Sequence, residues 1–144
     1  MGTRIPCSQV SDPLHYVTGG LSPFYVERMF SRDRRQAAWA VYFSPYTSNG
    51  SRRIGVGQGG AISSIFDVMT ACLAALYVQG RTPTAHIDVR LRKPTTPIPG
   101  AFLFEARIDQ DVGSRVIVEA QLSDGEGNLK CECSATLARL KPRL

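Results

Sequence analysis

Gly60-Ala61-Ile62-Ser63-Ser64-Ile65-Phe66-Asp67-Val68-Met69-Thr70-Ala71-Cys72-Leu73-Ala74-Ala75-Leu76-Tyr77-Val78 is the stretch on which the reading of this chain turns. Its apolar residues Ile62, Ile65, Phe66, Met69, Cys72, Leu73 and Leu76 recur at i, i+3 and i+4, the spacing of an amphipathic helix. The spacing predicts a helix from Gly60 to about Val78, with Gly80 as its stop.

Past the helix the period changes to two. In Ala85-His86-Ile87-Asp88-Val89-Arg90-Leu91-Arg92, apolar and polar residues alternate without a miss, which predicts a strand with one buried face. Phe102, Phe104, Ala106 and Ile108 form the apolar face of a second strand. Val116, Val118, Ala120 and Leu122 do so for a third, and Cys131, Cys133, Ala135 and Leu137 for a fourth. The joints are Pro94 to Gly100, Asp111-Val112-Gly113-Ser114 and Asp124-Gly125-Glu126-Gly127-Asn128; the last two are short and Gly-bearing, as hairpins require.

Ahead of the helix, Ala37 to Phe43 reads as a strand ended by Pro45, followed by a loop from Ser44 to Gly60. Residues 12–36 carry mixed signals, and Phe24 to Phe30 has the length of one or two helical turns. The expected organisation is a partly irregular N-terminal segment, 1–36, and one folded domain, 37–140. Strand, loop, long helix and four strands, mostly a meander, form an α+β layer solution. An antiparallel sheet curled around one central helix buries both apolar surfaces, and that arrangement is the hotdog fold.

At 144 residues the chain suits one domain with one core. With 43% hydrophobic and 20% charged residues it has the composition of a globular protein rather than a disordered one. No apolar run approaches the roughly 20 residues of a spanning helix. Residues 1–11 lack an apolar signal core and hold one Arg and no acid, so the expectation is an intracellular protein, cytoplasmic first, with a short mitochondrial transit peptide as the alternative. The net charge of +5 favours a polyanionic partner, whether nucleic acid, anionic lipid or a phosphate-bearing ligand. No basic stripe interleaves with aromatics, which disfavours a nucleic-acid module. Cys131 and Cys133 point to one face of a strand and Cys72 falls on the helix stripe. With Cys7, His15 and His86 they make poor zinc spacing, so the cysteines read as small buried hydrophobes and no metal is expected.

Asp67 lies away from the apolar stripe, near Gly60, Ser63, Ser64 and Ala71 by helical angle. A solvent face normally carries Lys, Glu and Gln, whereas small residues let a backbone or slim ligand come close. A solvated acid on an exposed face is the other reading of Asp67. Gly57-Gln58-Gly59-Gly60 opens the helix and leaves backbone N–H groups bare to receive an oxyanion or polarised carbonyl. It lacks the residues of a nucleotide-binding loop.

The run Gly57 to Asp67 resembles the signature of hotdog acyl-CoA thioesterases of the phenylacetate-pathway and thioesterase-superfamily type, whose helix opens with His-Gly-Gly and carries Asp or Glu nine residues after the His. Thr84 to Pro94, followed by Gly100, resembles that family's next strand and its Arg/Lys-Pro exit. The resemblance spans about residues 37–140. It implies that Asp67 is the catalytic carboxylate, that the Gly59 N–H polarises the thioester carbonyl and that Thr84 helps to orient water. Gln58 stands in place of the usual His; it donates a hydrogen bond but does not titrate near neutral pH. Arg52 stands where the family often has Asn. The implied activity is hydrolysis of acyl-CoA to acid and CoA, with CoA as part of the substrate and no separate cofactor, at a site between the subunits of a homodimer or homotetramer.

Gly60, Ser63 and Ser64 are expected beside the bound ester. Arg90, Arg92 and Lys93 at one strand end and Arg115 at the start of another are candidates for the CoA phosphates, or else solvated edge charges. His86 reads as packing or solvent rather than catalysis. A non-catalytic acyl-CoA-binding or oligomerising protein is the alternative function, motivated by Gln58; a dehydratase would want a catalytic His with an acid partner, and none is found. Gln58→His is expected to leave acyl-CoA turnover unchanged or to raise it, and a large loss in a thiol-release assay would instead give the Gln a role of its own.

Overall fold

A computed structural model describes residues 3–4, 24–42, 59–93 and 102–140. Among these described residues, seven strands and one helix follow in the order β1 (Thr3–Arg4), β2 (Phe24–Phe30), β3 (Gln36–Tyr42), α1 (Gly59–Val78), β4 (Thr84–Leu91), β5 (Phe102–Asp111), β6 (Arg115–Ser123) and β7 (Leu129–Ala138). The strands form one antiparallel sheet in the order β1-β2-β3-β5-β6-β7-β4. The sheet lies against α1, the hotdog arrangement expected.

The apolar positions anticipated on β5, β6 and β7 are all buried, from Phe102 and Val116 to Leu137. On α1, Ile62, Ile65, Phe66, Met69 and Leu73 are buried, while Cys72 and Leu76 pack at the rim. Val68, Thr70 and Ala74 are buried too, because a sheet that wraps a helix covers more than one stripe. Thr70 satisfies its hydroxyl locally by donating to the Phe66 carbonyl at 2.7 Å, as a buried polar group must. A chain of aromatic contacts, two edge-on and the last tilted, ties the layers together. Phe30 meets Trp39 at 5.3 Å, Trp39 meets Phe104 at 5.5 Å, and Phe104 meets Phe66 of the helix at 5.1 Å.

Three details differ from expectation. Phe24–Phe30 is a strand, not a pair of helical turns, and pairs antiparallel with β3; the sheet therefore takes in residues ahead of position 37. The run is rich in aromatic residues and Val, but the turn that would reveal a hairpin, Ser31 to Arg35, has neither Gly nor Pro. It is built instead by the Ser31 hydroxyl, which accepts from the N–H groups of Arg35 and Gln36, with Arg34 in the left-handed region at φ 60. Second, the meander is interrupted. β4 pairs with β7 at the far edge, while β5 lies beside β3. Third, Gln79 rather than Gly80 takes the left-handed conformation that ends α1, at φ 59. The Gly80 N–H then reaches back to the Ala75 carbonyl at 3.2 Å, the six-to-one bond of a Schellman cap.

The hairpins that were anticipated carry their turns on glycine. Gly113 and Gly127 sit at φ 84 and φ 86, where a side chain costs energy. Asp124 braces the second hairpin by accepting from the N–H groups of Glu126 and Asn128. At the other end, Arg139 grips Asp111 through two nitrogens at 2.9 Å and Tyr77 donates its hydroxyl to the same carboxylate at 2.8 Å. These bonds, with that from the Gly113 N–H, hold the Asp111 carboxyl at a pKa of about 2 against its ordinary 3.8. A carboxyl depressed on folding stabilises the protein above its ordinary pKa and loses that effect as pH falls toward the folded value. Asp111→Asn is thus expected to lower the melting temperature at pH 7, and the gap from wild type to shrink between pH 3.8 and about 2; a gap independent of pH would contradict it.

Candidate active site

α1 turns its apolar side to the sheet, so its opposite side carries Gly60, Ser63, Ser64, Asp67 and Ala71. Gly60 is exposed and the other four are half-buried. Among the described residues, a Cβ added at Gly60 meets nothing within 4 Å. Gly59 is the first residue of α1, and the N–H groups of a first turn have no carbonyl partners within their own helix. Ser64 is engaged, donating to the Gly60 carbonyl at 2.8 Å. Gln58 lies outside the described residues, as do the exit from Pro94 to Gly100 and the loop holding Arg52.

The chain brings Asp67 and Thr84 together. The Thr84 hydroxyl donates to Asp67 Oδ1 at 2.6 Å, a short charge-assisted bond. The bulge between Thr84 and His86 makes this possible. It turns Thr84 to the helix side of β4 together with Ile87 and Val89, leaving His86, Asp88 and Arg90 on the outer face. Among the described residues Asp67 Oδ2 has no partner. The carboxylate is thus fixed through one oxygen, with the other available to take a proton or hold a water. No arginine or lysine among the described residues pairs with it.

The basic candidates are not brought together. Arg115 stands opposite Ala138 and Arg90 opposite Glu132, six residues along β7 and about 20 Å apart. Arg92 is bound to Glu132 at 2.6 Å and Arg90 faces Asp88 at 3.6 Å, so both charges are answered within the chain. Lys93 is exposed beyond the end of β4. A concavity of about 860 Å³ does exist, but on the outer face of the sheet, among Asp88, Arg90, Glu105, Arg107, Glu119 and Glu132. These residues alternate with buried ones on the same strands, so the concavity opens away from α1 and Asp67.

The two cysteines of β7 are no rival nucleophiles. Burial pushes the Cys131 thiol up to about 11 and the Cys133 thiol up to about 12, the latter aided by the carboxylates of Glu119, Asp88 and Asp67. A thiolate is the reactive form, and these thiols stay protonated. Among the described residues no three His, Cys, Asp or Glu side chains are grouped to hold a metal ion, and no helix is long and apolar enough to cross a membrane. The Tyr77–Asp111–Arg139 cluster escaped sequence reading, because its members are 28 or more residues apart and share no local spacing.

Neither a protein-family model nor a curated protein sequence matches the chain. Solved structures do. A phenylacetic acid degradation-related protein of Ralstonia eutropha JMP134, assigned as a candidate thioesterase, superposes with a TM-score of 0.73 at 19% identity, covering 91% of this chain and 93% of that one. The PaaI protein of the E. coli phenylacetic acid degradation operon superposes at 0.70 with 11% identity, covering 91% and 86%. A Streptococcus mutans UA159 protein solved with acetyl-CoA bound superposes at 0.70 with 14% identity, covering 85% and 92%. At such identities the likeness establishes the fold: this chain has the hotdog fold of thioesterase-superfamily structures. Iodoacetamide at pH 8 is expected to leave Cys131 and Cys133 unmodified in the native protein by mass spectrometry, whereas labelling of both without denaturant would show that β7 does not bury them.

Proposed function

We propose that the protein hydrolyses acyl-CoA thioesters to a free acid and CoA, with Asp67 as its catalytic carboxylate. The observation that carries this reading is the Thr84–Asp67 bond of 2.6 Å on an otherwise small-residue helix face. It aims a half-buried carboxylate into a space bordered by glycine and serine. The acetyl-CoA-bound neighbour of the same fold supports a CoA ester as the ligand.

A thioester carbonyl is already reactive, so an aligned water, one base and one or two N–H donors suffice. Asp67 Oδ2 takes a proton from water, the water oxygen bonds to the carbonyl carbon, and the C–S bond breaks. The departing thiolate recovers the proton. Attack by the carboxylate itself gives the same products through an anhydride; ¹⁸O in Asp67 after a single turnover in ¹⁸O-water identifies that route, with water attacking the Asp67 carbonyl of the anhydride.

Gly59 and Asp67 are eight residues apart on one helix, about 12 Å along its axis. First-turn N–H groups point away from the helix body, so a carbonyl held at Gly59 lies beyond the reach of the same chain's Asp67. The two groups serve one ester only when they come from neighbouring protomers. The edge of the sheet supplies the means. β4 pairs with β7 on one side and with no described strand on the other. Its inward residues Ile87 and Val89 are only half-buried, and Leu91 is 51% exposed. An uncovered edge with apolar residues is a pairing surface, and a homodimer or homotetramer built on it completes the site. The absence of a His at position 58 favours one other reading, a non-catalytic acyl-CoA-binding or oligomerising protein, which a panel of acyl-CoAs with a thiol reagent decides.

Asp67→Asn is expected to cut turnover by roughly 10²–10⁴-fold with the fold intact; activity within a few-fold of wild type would refute the assignment. Thr84 is a positioning residue. Thr84→Val should reduce kcat about tenfold with little change in KM, and Thr84→Ser should restore it; equal effects of the two substitutions would assign Thr84 to packing alone.

A further inference from the structure

The segment between α1 and β4 turns back along the helix it has just left. Gln79 takes a left-handed conformation, and Thr82, Pro83 and Thr84 then run antiparallel to α1, as their two bonds to it show. Thr82 Oγ1 donates to the Ala71 carbonyl at 3.2 Å, and Thr84 Oγ1 donates to Asp67 Oδ1 at 2.6 Å. The spacings match. Ala71 lies four residues past Asp67, about 6 Å along a helix axis. Thr82 lies two residues before Thr84, about 6.6 Å along an extended chain. The two hydroxyls are thus rungs of one short ladder between strand and helix, and a shift of either by one residue breaks both.

Thr82 is 7% exposed, although Arg81 and Pro83 on either side of it are exposed. A buried hydroxyl needs a partner, whereas a valine of the same shape needs none. The Ala71 carbonyl, inside α1, has its ordinary partner in the N–H four residues on. The Thr82 bond therefore serves the connection rather than the helix.

What the connection has to hold is a bulge. His86 stands opposite Thr136 and Ile87 opposite Ala135, but Thr84 stands opposite Leu137, where regular pairing would put Ala85. In the regular register Thr84 would share the outer face with His86 and Asp88, because a slip of one residue sends each side chain to the other face. Backbone bonds from the Ala138 and Leu140 N–H groups to the Pro83 and Arg81 carbonyls tie the segment to β7. The Thr82 side chain ties it to the helix. We propose that Thr82 is a positioning residue of the candidate active site: its hydroxyl, bonded to Ala71, fixes the register in which the connection lies against α1 and so delivers the Thr84 hydroxyl to Asp67. It makes no bond to the carboxylate and acts through Thr84. The inference deepens, and rests on, the reading of Asp67 as the catalytic carboxylate of an acyl-CoA hydrolase.

Thr82→Val keeps the shape and removes the hydroxyl. In a thiol-release assay kcat should fall about three- to tenfold with KM within about twofold, and Thr82→Ser, which keeps the hydroxyl, should restore it. Should Thr82→Val fail to fold, Thr82→Ala carries the same expectation. The Thr84→Val background separates positioning from packing. There, adding Thr82→Val should change kcat by less than about twofold, since the bond through which it acts is already gone. Crystal structures of the wild type and of Thr82→Val read the same effect without a thioester: the Thr84 hydroxyl is bonded to Asp67 in the first and out of hydrogen-bond distance in the second. A Thr82→Val protein that melts lower yet keeps kcat within about twofold of wild type overturns the inference. So do effects of the two Val substitutions that multiply, or a Thr84–Asp67 bond that survives in the Thr82→Val crystal. Loss of that bond in a protein that turns over no acyl-CoA sustains the register role and removes the hydrolase reading alone.

Discussion

One helix with one apolar side, wrapped by one sheet with one apolar face, is the constraint from which everything else in this protein follows. Burying Ile65, Phe66, Met69 and Leu73 against Phe104, Val118 and Leu137 fixes the rotation of α1 about its axis. Rotation fixed, the side bearing Gly60, Ser63, Ser64 and Asp67 is turned away from the core, with Gly60 exposed and the other three half-buried. An acid there is half-buried because the helix is central, not because the acid was drawn inward. The Thr84 hydroxyl, delivered by a bulge at the start of β4, then sets how the carboxylate is held. Packing thus sets the candidate site in this chain: the core decides where the Asp67 carboxylate points, and one bond decides its orientation.

How much of this was legible from residues alone depends on the range of the signal. The helix and the three inner strands announce themselves by period, since every second or every third to fourth residue must be apolar to meet the core. Gly113 and Gly127 announce the hairpins for an equally local reason, the positive φ their turns require. β2 did not, because its turn uses Arg34 at φ 60 in place of glycine, and Ser31 and Asp33 in place of proline. The placement of β4 beside β7 also has no local signature; periodicity gives a strand its faces but not its neighbours. At the candidate site, Asp67 and Thr84 were both singled out from sequence, yet their direct contact spans 17 residues and appears only in three dimensions. The same holds for charge. Arg90, Arg92, Lys93 and Arg115 read alike in a sequence, and only the fold shows that two are matched by acids while Arg115 stands about 20 Å away along β7.

The chain also shows a division of electrostatic labour between its surfaces. On the outer face of the sheet, acids and bases answer one another, across strands as with Arg92 and Glu132 or along one strand as with Arg107 and Asp109. Such pairs contribute little to stability individually, but they leave no net field. At the end where α1 stops, bases outnumber acids among the described residues and the acids are occupied.

The central claim is that a carboxylate on one protomer and a helix N-terminus on its neighbour act on the same ester. Mixing two separately inactivated chains tests it most directly. One carries Asp67→Asn. The other carries Gly59→Pro, which removes the donor N–H at a position where the first turn tolerates proline. Unfolded and refolded together, they are expected to recover about a quarter of wild-type turnover, because half of a statistical mixture pairs unlike chains and each such pair assembles one intact site. A mixture as inactive as either variant alone would contradict the account.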